Sequence, residues 1–428
     1  MAHDQSQHSH ARRYAGLTID THAHWYPQEW LELVQKDGHK EGAVIERNAA
    51  GYRFVGEKLV NAFSEEFVSL DLRLAGMDRQ GVDMHALSLT TPMVYWASPA
   101  FGLALAQAYN DAASVAHLKH PTRFVGLAQV PMQNPALALK ELERASKLPG
   151  MRGLYLATNI DGHELDHRDY WDIYAKCQDL GWPIFLHPVY TIGGERFKRF
   201  YLKNLLGNPY DTGIAATCLI FGGVLDEFPT LEINLPHAGG TLPGIVGRLD
   251  HGTKQRAELV HMKRLPSEYL RRFTYDTIGH DDTINRNLIR QVGADRVLLG
   301  SDYCFDMGLE NPVETVERLA DVSTGDRDKI LGQTAAKLLR IESPHRHSRN
   351  GADKRKITHD PQPLPCPCPC PCPCPCPCPA GNSARTGADL SCAPDPDARS
   401  PAGRHCGRQR RPRDRAKNVA EHGPIGSG

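Results

Sequence analysis

Short apolar runs alternate with amphipathic stretches eight times between residues 16 and 341. The candidate strands are GLTID, MHALSLT, RFVGLAQV, RGLYLA, PIFLHP, LEINLP, RFTYDT and RVLLGSD. Repeated βα units favour a parallel sheet, and eight of them in roughly 325 residues predict an α/β fold of the (β/α)8 TIM-barrel type. An open doubly wound sheet is the alternative, but no glycine-rich phosphate loop follows any of these strands.

Three regions depart from this alternation. Residues 38–70 interrupt it between the first strand and its helix, which predicts a small hairpin or irregular lid at the mouth of the barrel. Residues 1–15 are predicted to be a flexible N-terminus. Residues 342–428 lack aromatic side chains and contain a Pro-Cys repeat, so they cannot bury enough apolar surface to fold and are predicted to be a disordered tail.

The distribution of charge and apolar residues excludes several partners. The tail carries 14 basic and 8 acidic residues, which leaves the first 341 residues with a net charge of −6. A nucleic-acid surface needs clustered Lys and Arg, so none is expected on the barrel. No apolar run approaches the length of a membrane span, and the first residues lack a signal-peptide core. We therefore predict a cytoplasmic protein with no membrane or specific nucleic-acid partner.

The cysteines do not form a disulfide framework. Seven belong to the Pro-Cys repeat from Cys366 to Cys378, and Cys177, Cys218 and Cys304 are scattered through the barrel sequence. The repeat could sequester a metal through its thiolates. The abrupt change of composition instead favours a low-complexity extension, and no function is assigned to it.

Polar residues end four of the predicted strands. The first strand ends in Asp-Thr-His22-Ala-His24, and side chains two apart on a strand point to the same side. His187, His237 and Asp302 end strands five, six and eight. Because the carboxyl ends of barrel strands meet at one rim, these five side chains are expected to converge there.

Imidazoles and a carboxylate suit zinc, with manganese or iron as alternatives. We predict one divalent ion held by His22, His24, His187 and Asp302. Such an ion would activate a bound water and polarise a substrate oxygen. His237 would lie beside the ion as general acid and base.

Seven motifs resemble the aminocarboxymuconate-semialdehyde decarboxylase branch of the amidohydrolase superfamily, in order over about residues 16–340. They are Asp20-Thr-His-Ala-His24, Met77-Asp-x-Gln-Gly-Val82, Arg123-Phe-Val-Gly-Leu-Ala-Gln-Val-Pro-Met132, His187-Pro188, Pro236-His-Ala-Gly-Gly240, Gly247-Arg248 and Gly300-Ser-Asp-Tyr303. The resemblance implies a mononuclear zinc on the same four ligands and a catalytic role for His237. A bridging lysine, typical of binuclear members, is missing from the fourth-strand segment GLYLATNIDG, so a single metal ion is expected.

The resemblance also concerns substrate binding. It implies that Arg248, and more weakly Arg256, bind a substrate carboxylate, and that such arginines reach across a homodimer interface. The alternative is that both are surface residues of the helix after strand six. A lid arginine of the family cannot be matched by spacing to Arg47 or Arg53. Val189-Tyr190 and Cys304 replace the Trp-Asp and Pro that the family often has, so the pocket is expected to differ in shape.

We therefore predict a metal-dependent, cofactor-free decarboxylase of an unsaturated or aromatic carboxylic acid. The resemblance implies that His237 and the metal-bound water protonate the carbon that loses CO2, while the ion and Arg248 hold substrate oxygens. A hydrolase of a lactone, amide or ester, or a hydratase, is the alternative on the same fold, because the same ligands could activate water. A non-catalytic metal-binding protein is a third interpretation. A complete ligand set with an adjacent base argues against it.

Overall fold

In a computed structural model, the chain is described at residue 14 and over residues 16–342. Its strands, in chain order, are β1 Ile19–His24, β2 Val44–Asn48, β3 Gly51–Val55, β4 Val60–Phe63, β5 Met84–Ser88, β6 Phe124–Ala128, β7 Met151–Ala157, β8 Asn159–Ile160, β9 His163–Glu164, β10 Ile184–His187, β11 Ile233–Leu235, β12 Phe273–Asp276 and β13 Val297–Leu298.

Its α-helices, in chain order, are α1 Gln28–Asp37, α2 Leu70–Gln80, α3 Pro99–Lys119, α4 Pro135–Ala145, α5 Trp171–Leu180, α6 Asn208–Phe221, α7 Val224–Glu227, α8 Leu242–Gln255, α9 Asp282–Val292, α10 Pro312–Glu317, α11 Thr324–Asp328 and α12 Thr334–Leu338. Polar residues cap several of them. The side chains of Ser98, Asn134 and Asp281 accept hydrogen bonds from the first turns of α3, α4 and α9. None of these helices combines the length and apolar character that a membrane crossing needs.

Eight parallel strands form one sheet in the order β1-β5-β6-β7-β10-β11-β12-β13. The chain after β13 returns to β1, where Thr21 N donates to Leu299 O and Asp302 N donates to His22 O, both at 2.9 Å. These bonds join the last strand to the first, and helices surround the sheet. The predicted (β/α)8 TIM barrel is confirmed, and each of the eight predicted strand segments contains or overlaps one barrel strand.

The region after the first strand differs from the sequence prediction. We expected residues 38–70 to separate the first strand from its helix, whereas α1 follows β1 first. Trp30, Leu31 and Val34 on α1 are completely buried, because they form one apolar stripe against the barrel. The insertion then contains a three-stranded antiparallel sheet, β2-β3-β4, which is more regular than the predicted hairpin. Its role as a lid stays a prediction.

The predicted terminal regions lie almost wholly outside the described residues. Of the N-terminal segment 1–15 only residue 14 is described, and of the tail 342–428 only residue 342. The Pro-Cys repeat also lies outside the described part.

Candidate metal centre

Five predicted site residues meet at the carboxyl end of the barrel. His22 and His24 belong to β1 and His187 is the last residue of β10, while His237 and Asp302 follow β11 and β13. The four imidazole rings lie close together, with centroid distances from 4.8 Å for His24 and His187 to 5.7 Å for His187 and His237. The structure thus brings together residues that are up to 280 positions apart in the chain.

The donor atoms are close enough to share one ion. One donor atom from each of four residues lies within 4.8 Å of the others; the residues are His22, His187, His237 and Asp302. His24 is outside that group, but its Nε2 lies 2.9 Å from Asp302 Oδ1. His237 Nε2 is farther out, 4.0 Å from Asp302 Oδ2. The carboxylate of Asp302 therefore lies between His24, which is near Oδ1, and His237, which is near Oδ2.

Asp276, at the end of β12, supports two of these residues. Its Oδ2 accepts a hydrogen bond from His22 Nδ1 at 2.8 Å and from the backbone N of His237 at 2.9 Å. Its Oδ1 accepts from Ala238 N at 2.8 Å. This carboxylate fixes the ring of His22 and the turn that carries His237. A carboxylate that orients a histidine from behind also raises its basicity as a metal ligand.

Hydrogen bonds also orient the other two inner histidines. His187 Nδ1 lies 2.9 Å from the Pro188 carbonyl oxygen, which can only accept. His24 Nδ1 lies 3.0 Å from Ser88 Oγ, and Ser88 Oγ donates its own hydrogen to Ala23 O at 3.1 Å. Each of these Nδ1 atoms therefore donates, as that of His22 does to Asp276. In all three rings Nε2 is then the nitrogen left to bind an ion, once it has given up any proton.

His237 lacks this constraint. Its Nδ1 is buried and has no hydrogen-bond partner among the described residues. His237 and Asp302 both have positive φ angles, 54° and 62°, as does Ala238. Residues other than glycine adopt this conformation at a cost, and such strain is concentrated at functional sites. The backbone thus holds His237 and Asp302 in place while one ring nitrogen of His237 stays free.

Burial and charge set the protonation of the cluster. Burial lowers the pKa of His22, but hydrogen bonds to Asp276 and Asp302 outweigh it and raise that pKa to about 10. Burial lowers the pKa of His24 to about 4 and the pKa of His187 well below its usual value. Burial raises the pKa of Asp302, but hydrogen bonds from His22 and His24 hold it well below its usual value.

These shifts describe a site suited to a cation. Burial favours the neutral form of His24 and His187, and the carboxylate of Asp302 is ionised among them. Asp276 and Asp302 stabilise a proton on His22. A divalent ion among the donor atoms would supply positive charge in place of that proton. Imidazole nitrogens with a carboxylate oxygen are the ligand set of catalytic zinc sites, so the residues present fit the predicted metal.

Two cavities open beside the cluster and share Asp302, Asn204 and Asn208. The larger has a volume of about 740 Å³ and is lined by His237, among other residues. The smaller has a volume of about 160 Å³ and is lined by His187 and by Leu59, Val60 and Asn61 of the insertion. A small substrate can therefore reach the cluster from either side of Asp302.

The two arginines implied by the resemblance are not at this site within one chain. Arg248 is exposed on α8, and Arg256 is exposed just after it and pairs with Glu258 at 2.8 Å. Neither lines the two cavities beside Asp302. Of the lid arginines, Arg53 pairs with Glu46 at 2.9 Å on the surface.

Sequence reasoning missed Asp276 and Ser88, which orient the metal-facing rings. The signal for Asp276 was available, because it ends the predicted strand RFTYDT just as His187 ends PIFLHP. Ser88 likewise falls within the predicted second strand. The contacts with His22 and His24 reveal the orienting role of these two residues.

Known proteins resemble the chain over the barrel. A 2-amino-3-carboxymuconate-6-semialdehyde decarboxylase from Dictyostelium discoideum is 31% identical over 332 residues, covering 76% of this chain and 92% of the relative. The structure of 5-carboxyvanillate decarboxylase from Sphingomonas paucimobilis is 25% identical with a TM-score of 0.66, and the match covers 77% of this chain and 100% of that one.

A third structure, a dihydroxybenzoic acid decarboxylase from Polaromonas sp. with bound manganese and 2-nitroresorcinol, has a TM-score of 0.62. Its identity is 24%, over 76% of this chain and 97% of that one, so it shows the fold alone. A family model described as amidohydrolase matches residues 19–341. The barrel, the histidine and aspartate cluster at its rim and these matches together show that the chain belongs to the amidohydrolase family, in which it resembles the decarboxylases.

Proposed function

We propose that the protein is a carboxy-lyase that removes CO2 from an unsaturated or aromatic carboxylic acid, with one divalent metal ion and no organic cofactor. The observation that carries the proposal is the cluster itself. His22 and His24 have their Nε2 atoms 3.3 and 2.9 Å from Asp302 Oδ1, and His187 has a donor atom within 4.8 Å of those of His22 and Asp302. A fourth imidazole, His237, has a ring nitrogen without a partner among the described residues. The similarity to decarboxylases of unsaturated and aromatic acids selects the reaction among those that such a cluster could support.

The residues of the cluster divide the work. His22, His24, His187 and Asp302 would hold the ion, which would polarise a substrate oxygen. His237 Nε2 carries a proton toward the substrate carbon that bears the carboxylate. That carbon takes the proton, its bond to the carboxylate breaks, and the electron pair of this bond returns to the unsaturated framework as CO2 leaves. His237 then recovers a proton from water.

Zinc is the ion that we propose for this ligand set, because imidazole nitrogens and carboxylate oxygens are the ligands of many of its catalytic sites. Manganese is the alternative, since the Polaromonas decarboxylase structure of the same fold contains it. Elemental analysis of protein purified without added metal distinguishes the two. One equivalent of either ion per chain supports the mononuclear site, and two equivalents would contradict it.

We also propose a homodimer in which Arg248 and Arg256 contact the substrate of the partner. Supporting this, both side chains are exposed, and Ile245 on the same helix is an exposed large apolar residue. Light scattering on purified protein tests the assembly. A monomer with full activity would remove both arginines from the mechanism.

The reaction is tested by offering metal-loaded protein a panel of unsaturated and aromatic acids together with lactones and esters. Release of CO2 with uptake of one proton is the expected result. Opening of a lactone or ester ring without CO2 would instead identify a hydrolase. Tightly bound metal without turnover of any compound would support a binding protein.

A further inference from the structure

The smaller cavity beside Asp302 has the size of one ring. Its volume is about 160 Å³, and a cavity of about 150 Å³ in another protein accommodates benzene. Val60, Val189 and Phe305 give it an apolar wall, while His187 and Asp302 connect it to the metal cluster. An aromatic ring or a short unsaturated chain therefore fits between the cluster and the insertion.

One cation lines this cavity. Lys203 begins a π-helical segment, Lys203–Gly207, that leads into α6. No other Lys or Arg belongs to the described lining of this cavity or of the larger one that shares Asp302. The arginines named by sequence resemblance lie elsewhere, so among the described residues Lys203 is the cation that a single chain offers to an acid in the smaller cavity.

Lys203 is exposed and has no acidic partner in the part of the chain that the structure describes. No carboxylate among the described residues lies within ion-pair distance of its amino group, whereas Lys198, five residues earlier, pairs with Glu195. Like Lys198, most exposed cations of the insertion form ion pairs; Arg47, for example, pairs with Glu65. An unpaired ammonium at the edge of a cavity gains a charge-assisted hydrogen bond when an anion enters.

The chemistry of the reaction restricts which anion this is. The departing carboxylate loses its negative charge as the C–C bond breaks, since the electron pair moves to carbon. A lysine on that carboxylate would stabilise the substrate more than the transition state and would slow the reaction. A lysine on a second acidic group, whose charge persists throughout, binds both states equally and increases affinity without this penalty.

We infer that Lys203 binds an acidic group of the substrate that is not lost, so that the preferred substrate carries a second carboxylate or a phenolate. This inference rests on the proposed decarboxylase function and specifies its substrate class. Lys203 takes no part in bond breaking and is a specificity residue. Its removal should raise KM for acids with two anionic groups and change kcat little.

Binding of two probes tests the inference independently of turnover. Isophthalate and benzoate are titrated calorimetrically into metal-loaded, full-length protein, as wild type and as Lys203→Gln, Lys203→Arg and Lys198→Gln. We expect wild type to bind isophthalate about tenfold or more tightly than benzoate, and Lys203→Gln to bind the two within about threefold of each other. Lys203→Arg should retain the preference, because it retains the charge, and Lys198→Gln should match wild type.

Thermal unfolding of each variant verifies that it is folded. A folded Lys203→Gln protein that still prefers isophthalate as wild type does would overturn the role of Lys203. If the preference depends on Lys203 but no acid releases CO2, the anion site stands and the decarboxylase proposal fails. If acids are decarboxylated with unchanged KM in Lys203→Gln, the decarboxylase proposal stands and the inference about Lys203 fails.

Discussion

The two sides of the cluster differ in how their side chains are held. On the floor of the site, His22, His24 and His187 each donate a hydrogen bond through Nδ1 to a fixed acceptor. On the wall that faces the cavities, His237 Nδ1 has no partner and Lys203 has no counterion among the described residues. Groups that bind a metal benefit from a fixed orientation, whereas groups that meet a substrate have to keep free bonding capacity.

Asp302 contacts both sides, so its loss should have the largest effect. In Asp302→Ala the only acidic donor of the cluster is lost and His22 and His24 lose their shared acceptor. We expect metal content to fall well below one equivalent and activity to become undetectable. Metal analysis with a CO2 assay measures both. Asp306→Ala, a nearby exposed carboxylate outside the cluster, should behave as wild type.

His237→Ala removes a residue of the wall and leaves the residues of the floor unchanged. General acid–base residues contribute about 10²- to 10⁴-fold to a rate, so activity should fall by that factor while the metal stays bound to the floor residues. We expect a CO2 assay to show a rate lowered by that factor and metal analysis to show one retained equivalent per chain. His280→Ala removes another histidine lining the same cavity and should change the rate less than about threefold.

The donor geometry gives this experiment a second use. His237 lies in the group of four residues with donor atoms within 4.8 Å of one another. If His237→Ala also emptied the site of metal, His237 would be a ligand and the division between floor and wall would be wrong.

Asp276→Asn alters the carboxylate that orients His22 and leaves all four proposed metal ligands in place. An asparagine can accept from the backbone of Ala238 but cannot replace both acceptor oxygens that serve His22 and His237. Loss of such a supporting carboxylate typically lowers metal affinity about 10- to 100-fold. Competition with a chelator of known affinity measures the change. Unchanged affinity would mean that His22 is oriented by packing alone.

Ser88→Ala should have the smallest effect of the four. It removes the acceptor of His24 Nδ1 and leaves a buried donor unpaired, which costs about 1–3 kcal/mol of unfolding free energy. Chemical denaturation of the metal-free protein gives this value. Ser114→Ala, a buried serine of α3 away from the cluster, serves as the control and should cost less. An equal loss in both variants would remove any special role for the bond to His24.

Much of the fold was predictable because barrel strands have a local signature. Each apolar run is short and ends in a turn, and a polar residue directly after such a run lies at the rim wherever the strand is placed in the barrel. His187 and Asp302 were identified in this way. Helix α1 was missed because the insertion behind it obscured the alternation, although Trp30 and Val34 have the spacing of a buried helical face.

The pattern of residues along the chain by itself determined the barrel, the five side chains at its rim and the family, because strand period and strand-end position are local properties. Only the tertiary structure decided which atoms meet. Contacts between distant segments create the hydrogen bonds of His22 with Asp276 and of His24 with Ser88. They also leave His237 Nδ1 without a partner among the described residues and place Lys203 and Asp302 in the lining of one cavity. Such contacts follow from strand order, barrel closure and loop packing, which no single segment encodes.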